Sequence, residues 1–507
     1  LLTERDREWF QKEKQALSPG AKEKTYIQKF YLYMNLTKPE EFLHISYSKV
    51  SSDGKTLRPA YLVWDLKKLF PKLVVTEEEA LLMTQRELTP GEGLEFVIRG
   101  VRDRYLGVDE SWKELYTWYR QNEGQKVDRI LDAGFFKKKP DALTGEEAAE
   151  LYGEKKQFSV TRMERFSACA YAHFLTYGLH LSDRERYEFE AMDLGNIAHQ
   201  SMERFARKAQ EKRMPWPKLE EVQRDAMIEE SVEESIKDYG NTVLYSTARN
   251  EYMIVRIKQL IRRSVWALTR QMEKGDFEPS GYEMNFGSGK IDRIDTCEDE
   301  DMVYVKVTDY KTGMKSFDIV ALYHGLQMQL PVYLNAALEL EERRAPGKTV
   351  EPAGIFYYRI KDPIVDREKD DHALEEKILK ELRLDGMINA KEEVIEHLEH
   401  QLSGTSVLNP IGKNKDGSLN RYSKVLPPEA FAAMLSYTKK KEAQVKRQIY
   451  AGEVQANPYE LNGSTGCDYC AYRDICGFDP RLDGYAYRSL EKYSNCLLYT
   501  SPSPRDS

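Results

Sequence analysis

Apolar residues recur along the chain at two different periods, and the change of period marks the elements. Leu2 to Ala16 is a charged amphipathic helix that stops at Pro19-Gly20. Ala21 to Leu36 repeats helical spacing, with Tyr26, Phe30, Leu32 and Tyr33 as its apolar stripe. Glu41 to Tyr47 then alternates as a strand does. Residues 76 to about 150 read as helical, broken at Pro90-Gly91 and Pro140-Asp141, and Phe135 to Pro140, with Lys137, Lys138 and Lys139, reads as a linker. Asp193 to Phe205 is a helix that turns Leu194, Ile197, Ala198, Met202 and Phe205 inward, with His199 beside that face. From Phe286 the period shortens to two: a strand, an acidic turn at Cys297 to Asp301, and a second strand from Met302 to Lys311. Gly325 to Tyr333 begins another helix. Helices interleaved with strands predict an α/β chain.

Composition narrows the class. The 507 residues suffice for two or three domains, and 41% hydrophobic with 32% charged residues describes a globular protein with a polar surface. No apolar run approaches the roughly 20 residues that cross a bilayer, and no signal peptide is evident, so a cytoplasmic protein without a membrane partner is expected. A net charge of −8 excludes a chain coated with basic residues but not a local basic groove. Lys439, Lys440 and Lys441 with Lys446 and Arg447 read as a solvated helix face. The start at Leu1-Leu2-Thr3, without Met, reads as a fragment of a longer protein. Cys496 to Ser507 looks like a translated sequencing-adapter end or a disordered tail and is set apart.

Three of the six cysteines crowd together: Cys467, Cys470 and Cys476, as CxxC and then five residues to the third. One loop can wrap three such thiolates around a metal centre, and a fourth ligand must come from elsewhere. Cys169, in Arg165-Phe166-Ser167-Ala168-Cys169, is the candidate; Cys297 fits less well because it lies in a charged turn. Thiolates suit either a 4Fe–4S cluster or a structural zinc, and the ligand set does not separate them.

The second chemical feature is the hairpin. Val303, Val305, Val307, Asp309 and Lys311 share one face of the second strand, and the turn returns Asp292 towards Asp309. A buried face that ends in Asp and Lys is costly unless a partner relieves it. Mg²⁺ would do so, with Lys311 holding or activating water at a phosphate; a surface hairpin with a salt bridge is the plain alternative. His199 is a possible third ligand or a packed helix histidine. Gln327 can hydrogen-bond a base or phosphate and Tyr333 can pack on DNA, or both simply pack the helix.

These segments together resemble the RecB-type family of the PD-(D/E)xK fold: the helix with His199, the strand Gly289-Lys290-Ile291-Asp292, the triplet Asp309-Tyr310-Lys311 and the helix from Gln327 to Tyr333. With the cysteine pattern they resemble its iron-staple branch. The stretch Leu36-Thr37-Lys38-Pro39 is similar to the last motif of UvrD-like superfamily 1 helicases, with Lys38 where that family carries the arginine that clamps the γ-phosphate. Taken as a whole, residues 1–495 resemble the end of the AddB-type subunits of AddAB helicase–nucleases.

The resemblance implies a restriction-endonuclease-like α/β nuclease core with large helical insertions, preceded by the end of a helicase-like domain. It implies a degenerate motor end over 1–75, a helical connection over 76–154 and the nuclease domain over 155–495. It implies Mg²⁺ on His199, Asp292, Asp309 and the Tyr310 carbonyl, with Asp292, Asp309 and Lys311 catalytic and Gln327 and Tyr333 supporting. It implies a 4Fe–4S cluster on Cys169, Cys467, Cys470 and Cys476. The expected partners are single-stranded DNA, duplex ends and an AddA-type subunit, in double-strand-break repair. No GxxxxGK[ST] loop occurs, so no ATP site is expected within this stretch. A standalone iron-staple nuclease and a non-catalytic DNA-holding scaffold are the competing readings.

Overall fold

The computed structural model describes residues 3–493 apart from 14–16, 52–54, 77–88, 103–109, 137–141, 154–157, 183–188, 190, 240–241, 246, 288 and 369. The basic tract Lys137 to Lys139 and the tail Cys496 to Ser507 lie outside the described residues. The chain forms two compact units that divide between Gly134 and Phe135.

The first unit is helical: α1 (Glu4–Lys12), α2 (Ala21–Leu36), α3 (Tyr61–Leu69), α4 (Pro90–Arg102), α5 (Glu110–Asn122) and α6 (Gly124–Gly134). Its described core is a small cluster of Val97, Tyr119 and Val127 from α4, α5 and α6. Gly100 lets Trp112 of α5 lie against α4, since a Cβ there would stand 1.8 Å from the indole nitrogen. Two expectations need correction. Glu41 to Tyr47 forms no strand; with no neighbouring strand among the described residues to pair with, the alternating segment stays irregular. The helix α2 has the expected bounds, but none of its residues is buried, so Tyr26, Phe30, Leu32 and Tyr33 form no packed stripe.

The second unit is built on a six-stranded mixed sheet in the order β1-β2-β3-β4-β5-β6. The strands are β1 (Glu278–Phe286), β2 (Gly289–Glu298), β3 (Met302–Lys311), β4 (Thr349–Arg359), β5 (Asp385–Asn389) and β6 (Val425–Leu426). The pairs β1–β2, β2–β3 and β4–β5 are antiparallel; β3–β4 and β5–β6 are parallel. Strict alternation gives each strand two apolar faces. Val303, Val305, Val307, Ile355 and Tyr357 pack on one side, and Tyr304, Tyr310, Phe356 and Tyr358 on the other. Both faces are covered by helices, as strands apolar on both sides require.

The first layer holds α7 (Gly145–Tyr152), α8 (Val160–Ala168), α14 (Gln329–Arg344) and α17 (Pro428–Tyr450). The opposite layer holds α10 (Ala191–Glu211), α11 (Glu221–Tyr239) and α12 (Ala248–Met272). Shorter helices fill the connections: α9 (Ala170–His173), α13 (Ile319–Tyr323), α15 (Asp371–Glu381), α16 (Glu392–Leu398) and α18 (Arg473–Cys476). A small sheet of β7 (Tyr459–Leu461), β8 (Ser464–Thr465) and β9 (Arg488–Ser489) frames the late cysteines. In α17, Lys439 pairs with Glu339 at 2.9 Å and Lys440 is exposed, much as a solvated face predicts, whereas Lys441 is partly buried.

The sheet tolerates little change where β4 and β5 meet. A Cβ on Gly386 would stand 1.9 Å from the Ile355 carbonyl oxygen. Gly386→Ala therefore forces backbone apart and should cost about 3 kcal/mol, seen as a clear drop in melting temperature. Gly313→Ala, where a Cβ meets nothing within 4 Å, should melt like the parent.

Candidate active site and thiol cluster

The antiparallel register of β2 and β3 places Asp292 against the start of the Asp309-Tyr310-Lys311 triplet. Oδ2 of Asp292 accepts the Tyr310 backbone N–H at 2.7 Å. Asp309 is buried, and Lys311 on the same strand face forms an ion pair with its Oδ2. On that Oδ2 no hydrogen-bond donor is aligned. From the opposite layer, α10 is fixed by Ile197, Ala198, Met202 and Phe205 in the core and brings His199 Nδ1 to 3.3 Å from Asp292 Oδ2. The four residues expected at a metal-dependent site thus converge.

Asp309 and His199 feel the charges around them. Burial and then the Asp292 charge raise the Asp309 carboxyl, against the opposing pull of Lys311. Burial alone would lower His199, but its hydrogen bond to Asp292 and the charges of Asp292 and Asp309 raise it. A cleft of about 510 Å³ opens beside them, lined by His199, Gln200, Glu203, Glu283, Lys290 and Asp292 among others.

Three residues at the site escape a reading of the sequence. Glu283 of β1 joins His199 and Asp292 with ligand atoms all within 4.8 Å of one another. Burial, then Asp292, push it up to about 7, and its φ of +49° holds it in the left-handed region that non-glycine residues rarely adopt. Gln329 donates from Nε2 to Asp309 Oδ1 at 2.8 Å and to the Tyr333 hydroxyl at 3.0 Å. Glu164 of α8 accepts the Met328 and Gln329 backbone N–H groups at 2.7 and 3.1 Å, capping α14.

Gln327 does not reach this constellation. It bonds the Asp318 N–H at 3.0 Å and the Ser316 carbonyl at 3.1 Å, because the chain turns at Gly325 (φ +78°) and α14 starts only at Gln329. Tyr333 lies one helical turn after Gln329, so the glutamine four positions before it is the one on the site's face; that i, i+4 spacing was the available signal.

Four cysteines meet where α8 ends. Cys169 sits at the break between α8 and α9 and is buried. The late segment is tied to it by Ala170 N–H to Asn457 Oδ1 and Tyr171 N–H to the Gln455 carbonyl, both 3.0 Å. Gly466 approaches so closely that a Cβ would stand 2.9 Å from the Ala168 carbonyl oxygen. Cys169, Cys467, Cys470 and Cys476 line one cavity of about 220 Å³, and none is in a disulfide. Cys297 lies near the end of β2 and does not line that cavity.

The class follows from this sheet and site: residues 157–477 match the model of the PD-(D/E)XK nuclease superfamily, and the chain belongs to it. Over 97% of its length the chain is 36% identical to the B-type subunit of the ATP-dependent helicase/deoxyribonuclease of Lachnoclostridium phytofermentans, covering 44% of that protein. It is 31% identical to the proteins of the same name from Alkaliphilus oremlandii and Caldanaerobacter subterraneus subsp. tengcongensis, covering 46% and 44% of them. The chain therefore spans less than half the length of these relatives.

Glu164 is a positioning residue by this geometry. Glu164→Ala leaves two N–H groups at the start of α14 unmet and should cost about 1–3 kcal/mol. Glu164→Gln keeps an acceptor at Oε1 and should lose less than half as much in a thermal melt.

Proposed function

We propose that the chain is the nuclease-bearing part of the AddB-type member of a heterodimeric helicase–nuclease, cutting single DNA strands with Mg²⁺ as broken duplex ends are unwound for recombinational repair. The observation that carries this reading is the convergence of His199, Asp292, Asp309 and Lys311 beside an open cleft. The donor set fits the ion: His199, Asp292 and Glu283 offer ligand atoms all within 4.8 Å of one another, and the buried Asp309 carboxylate stands beside them. His199, Asp292, Asp309 and the Tyr310 carbonyl would hold Mg²⁺, with Glu283 within reach. When bound, the ion supplies positive charge against the scissile phosphate and acidifies water.

The protein's own groups do the rest. Lys311 stands paired with Asp309, where it orients the attacking water and offsets charge growing on the phosphate. Gln329 fixes the other Asp309 oxygen, so the carboxylate cannot swing away. Glu283 is the carboxyl in the cleft able to hold or release a proton near neutrality.

We assign Cys169, Cys467, Cys470 and Cys476 to a 4Fe–4S cluster. The four thiols line one cavity of about 220 Å³, and thiolate sulfur is the ligand such a cluster takes; zinc with the same four ligands is the alternative that a metal count separates. In this reading residues 1–75 are the end of a motor-like domain, 76–154 the connection and 155–495 the nuclease, with the last helix of the connection, α7, already packed on the nuclease sheet's core. Lys38, exposed just past α2, lacks the planar fork of an arginine, so the motor end is degenerate. The partner is an AddA-type subunit, in keeping with the relatives' name, and the compartment is the cytoplasm, where the DNA is. Among the described residues no helix is long and apolar enough to cross a membrane. A standalone iron-staple nuclease is disfavoured because the likeness to the helicase/deoxyribonuclease relatives runs over 97% of the chain.

Lys311→Ala should lower Mg²⁺-dependent digestion of single-stranded DNA by about 10²–10³-fold while DNA binding persists, and Asp309→Ala should abolish digestion. Full activity in either variant refutes the site. Anaerobically purified chain should carry about four irons and a broad visible absorption; Cys470→Ala should lose both and melt lower. Zinc in these four cysteines, without iron, contradicts the cluster assignment.

A further inference from the structure

Cys297, the one cysteine among the described residues that the late cluster leaves over, has its own company. Its Sγ, an oxygen of Asp276 and a ring nitrogen of His397 all lie within 4.8 Å of one another. Asp276 Oδ2 stands 2.8 Å from His397 Nδ1 and 2.7 Å from His400 Nε2. The other nitrogen of His397 lies 3.2 Å from Asp299 Oδ2. Four donors of three chemical kinds come from three separate stretches: the turn between α12 and β1, the end of β2, and the end of α16.

Backbone contacts hold these stretches together without any ion. Asp276 N–H donates to the His397 carbonyl at 2.8 Å, and His400 N–H to the Lys274 carbonyl at 2.7 Å. Gly275 runs so close to α16 that a Cβ would stand 2.4 Å from the His397 carbonyl oxygen. Charge favours a cation here. Carboxylates of Asp276, Asp299 and Glu298 surround a buried thiol, while Lys348 engages Glu298 at 3.2 Å and the Asp299 carbonyl at 2.9 Å. Two imidazole nitrogens aimed at one carboxylate oxygen need either two protons or a shared positive centre.

We propose that Cys297, His397, His400 and Asp276 form a structural zinc site separate from the nuclease centre. Cys297, His397 and Asp276 already hold a thiolate, an imidazole and a carboxylate within 4.8 Å of one another, and His400, bonded to Asp276 but outside that group, supplies the fourth tetrahedral ligand by moving in on the ion; the thiolate disfavours Mg²⁺ and Ca²⁺. Asp299 takes the place of the outer carboxylate that orients a ligating histidine. Cys297 pairs with Tyr304, five positions along β3 from Asp309 and so roughly 17 Å away. The site lies at the opposite end of the hairpin from the catalytic groups and staples the sheet to α16. Asp276 and His400 are both nearly half exposed, which leaves the ion a way in.

The test is zinc and iron counting by mass spectrometry on anaerobically purified chain supplied with zinc and passed over a chelating resin. The parent should retain close to one zinc per chain. Cys297→Ser and His400→Ala should each weaken retention roughly tenfold or more with iron unchanged, and Cys470→Ser should leave zinc in place. His400→Ala removes an exposed side chain, so it remains informative if Cys297→Ser fails to fold. No zinc in the parent, zinc undiminished in both variants, or zinc lost only with Cys470→Ser overturns the proposal.

Discussion

Two like charges on adjacent strands, Asp292 and Asp309, sit where water barely reaches, and much of the surrounding structure serves to make that tolerable. A carboxylate taken out of water without a partner costs several kcal/mol. Here each has partners from a different element: the Tyr310 N–H and His199 for Asp292, Lys311 and Gln329 for Asp309. The groups come from β2, β3, α10 and α14, so the pair can exist only when both helical layers are docked on the sheet. A divalent cation would complete the neutralisation that the protein leaves partial.

The thiol cluster bears on the same pair through one short helix. α8 carries Glu164, which caps α14, and α14 carries Gln329, which holds Asp309. α8 ends on Cys169, which faces a segment nearly 300 positions later. Closing so long a loop with a metal centre limits the unfolded chain and fixes where α8 ends. The cluster is thereby continuous with the chemistry through α8, Glu164 and α14.

Much of this was legible in the sequence because it rests on short-range pattern. The strand Met302 to Lys311 has the expected bounds, since alternation of Val303, Val305 and Val307 with Tyr304 and Lys306 admits one register of faces, but β2 runs on to Glu298, so Cys297, expected in the acidic turn, is a buried strand residue paired with Tyr304. The helix with His199 and the loop of three late cysteines also follow from spacing, whereas Cys169, nearly 300 positions earlier, could be named only as the candidate fourth, and the fold brings it to the same cavity. What was not legible depends on tertiary placement. Gln327 and Gln329 differ only by where α14 begins, which a left-handed glycine and the Glu164 cap decide. Glu283 sits in a strained backbone conformation that no periodicity announces. Glu41 to Tyr47 alternates like a strand but finds no partner, and the apolar positions of α2 remain uncovered among the described residues. Alternation and amphipathicity state what an element could bury, not what is there to cover it.

The central claim is that the buried acid pair is a cation site. Mn²⁺ in place of Mg²⁺ makes this directly measurable by electron paramagnetic resonance, titrating the parent and Asp292→Asn side by side. The account predicts ion binding in the parent that weakens at least tenfold in the variant. Equal Mn²⁺ binding by both proteins would contradict it.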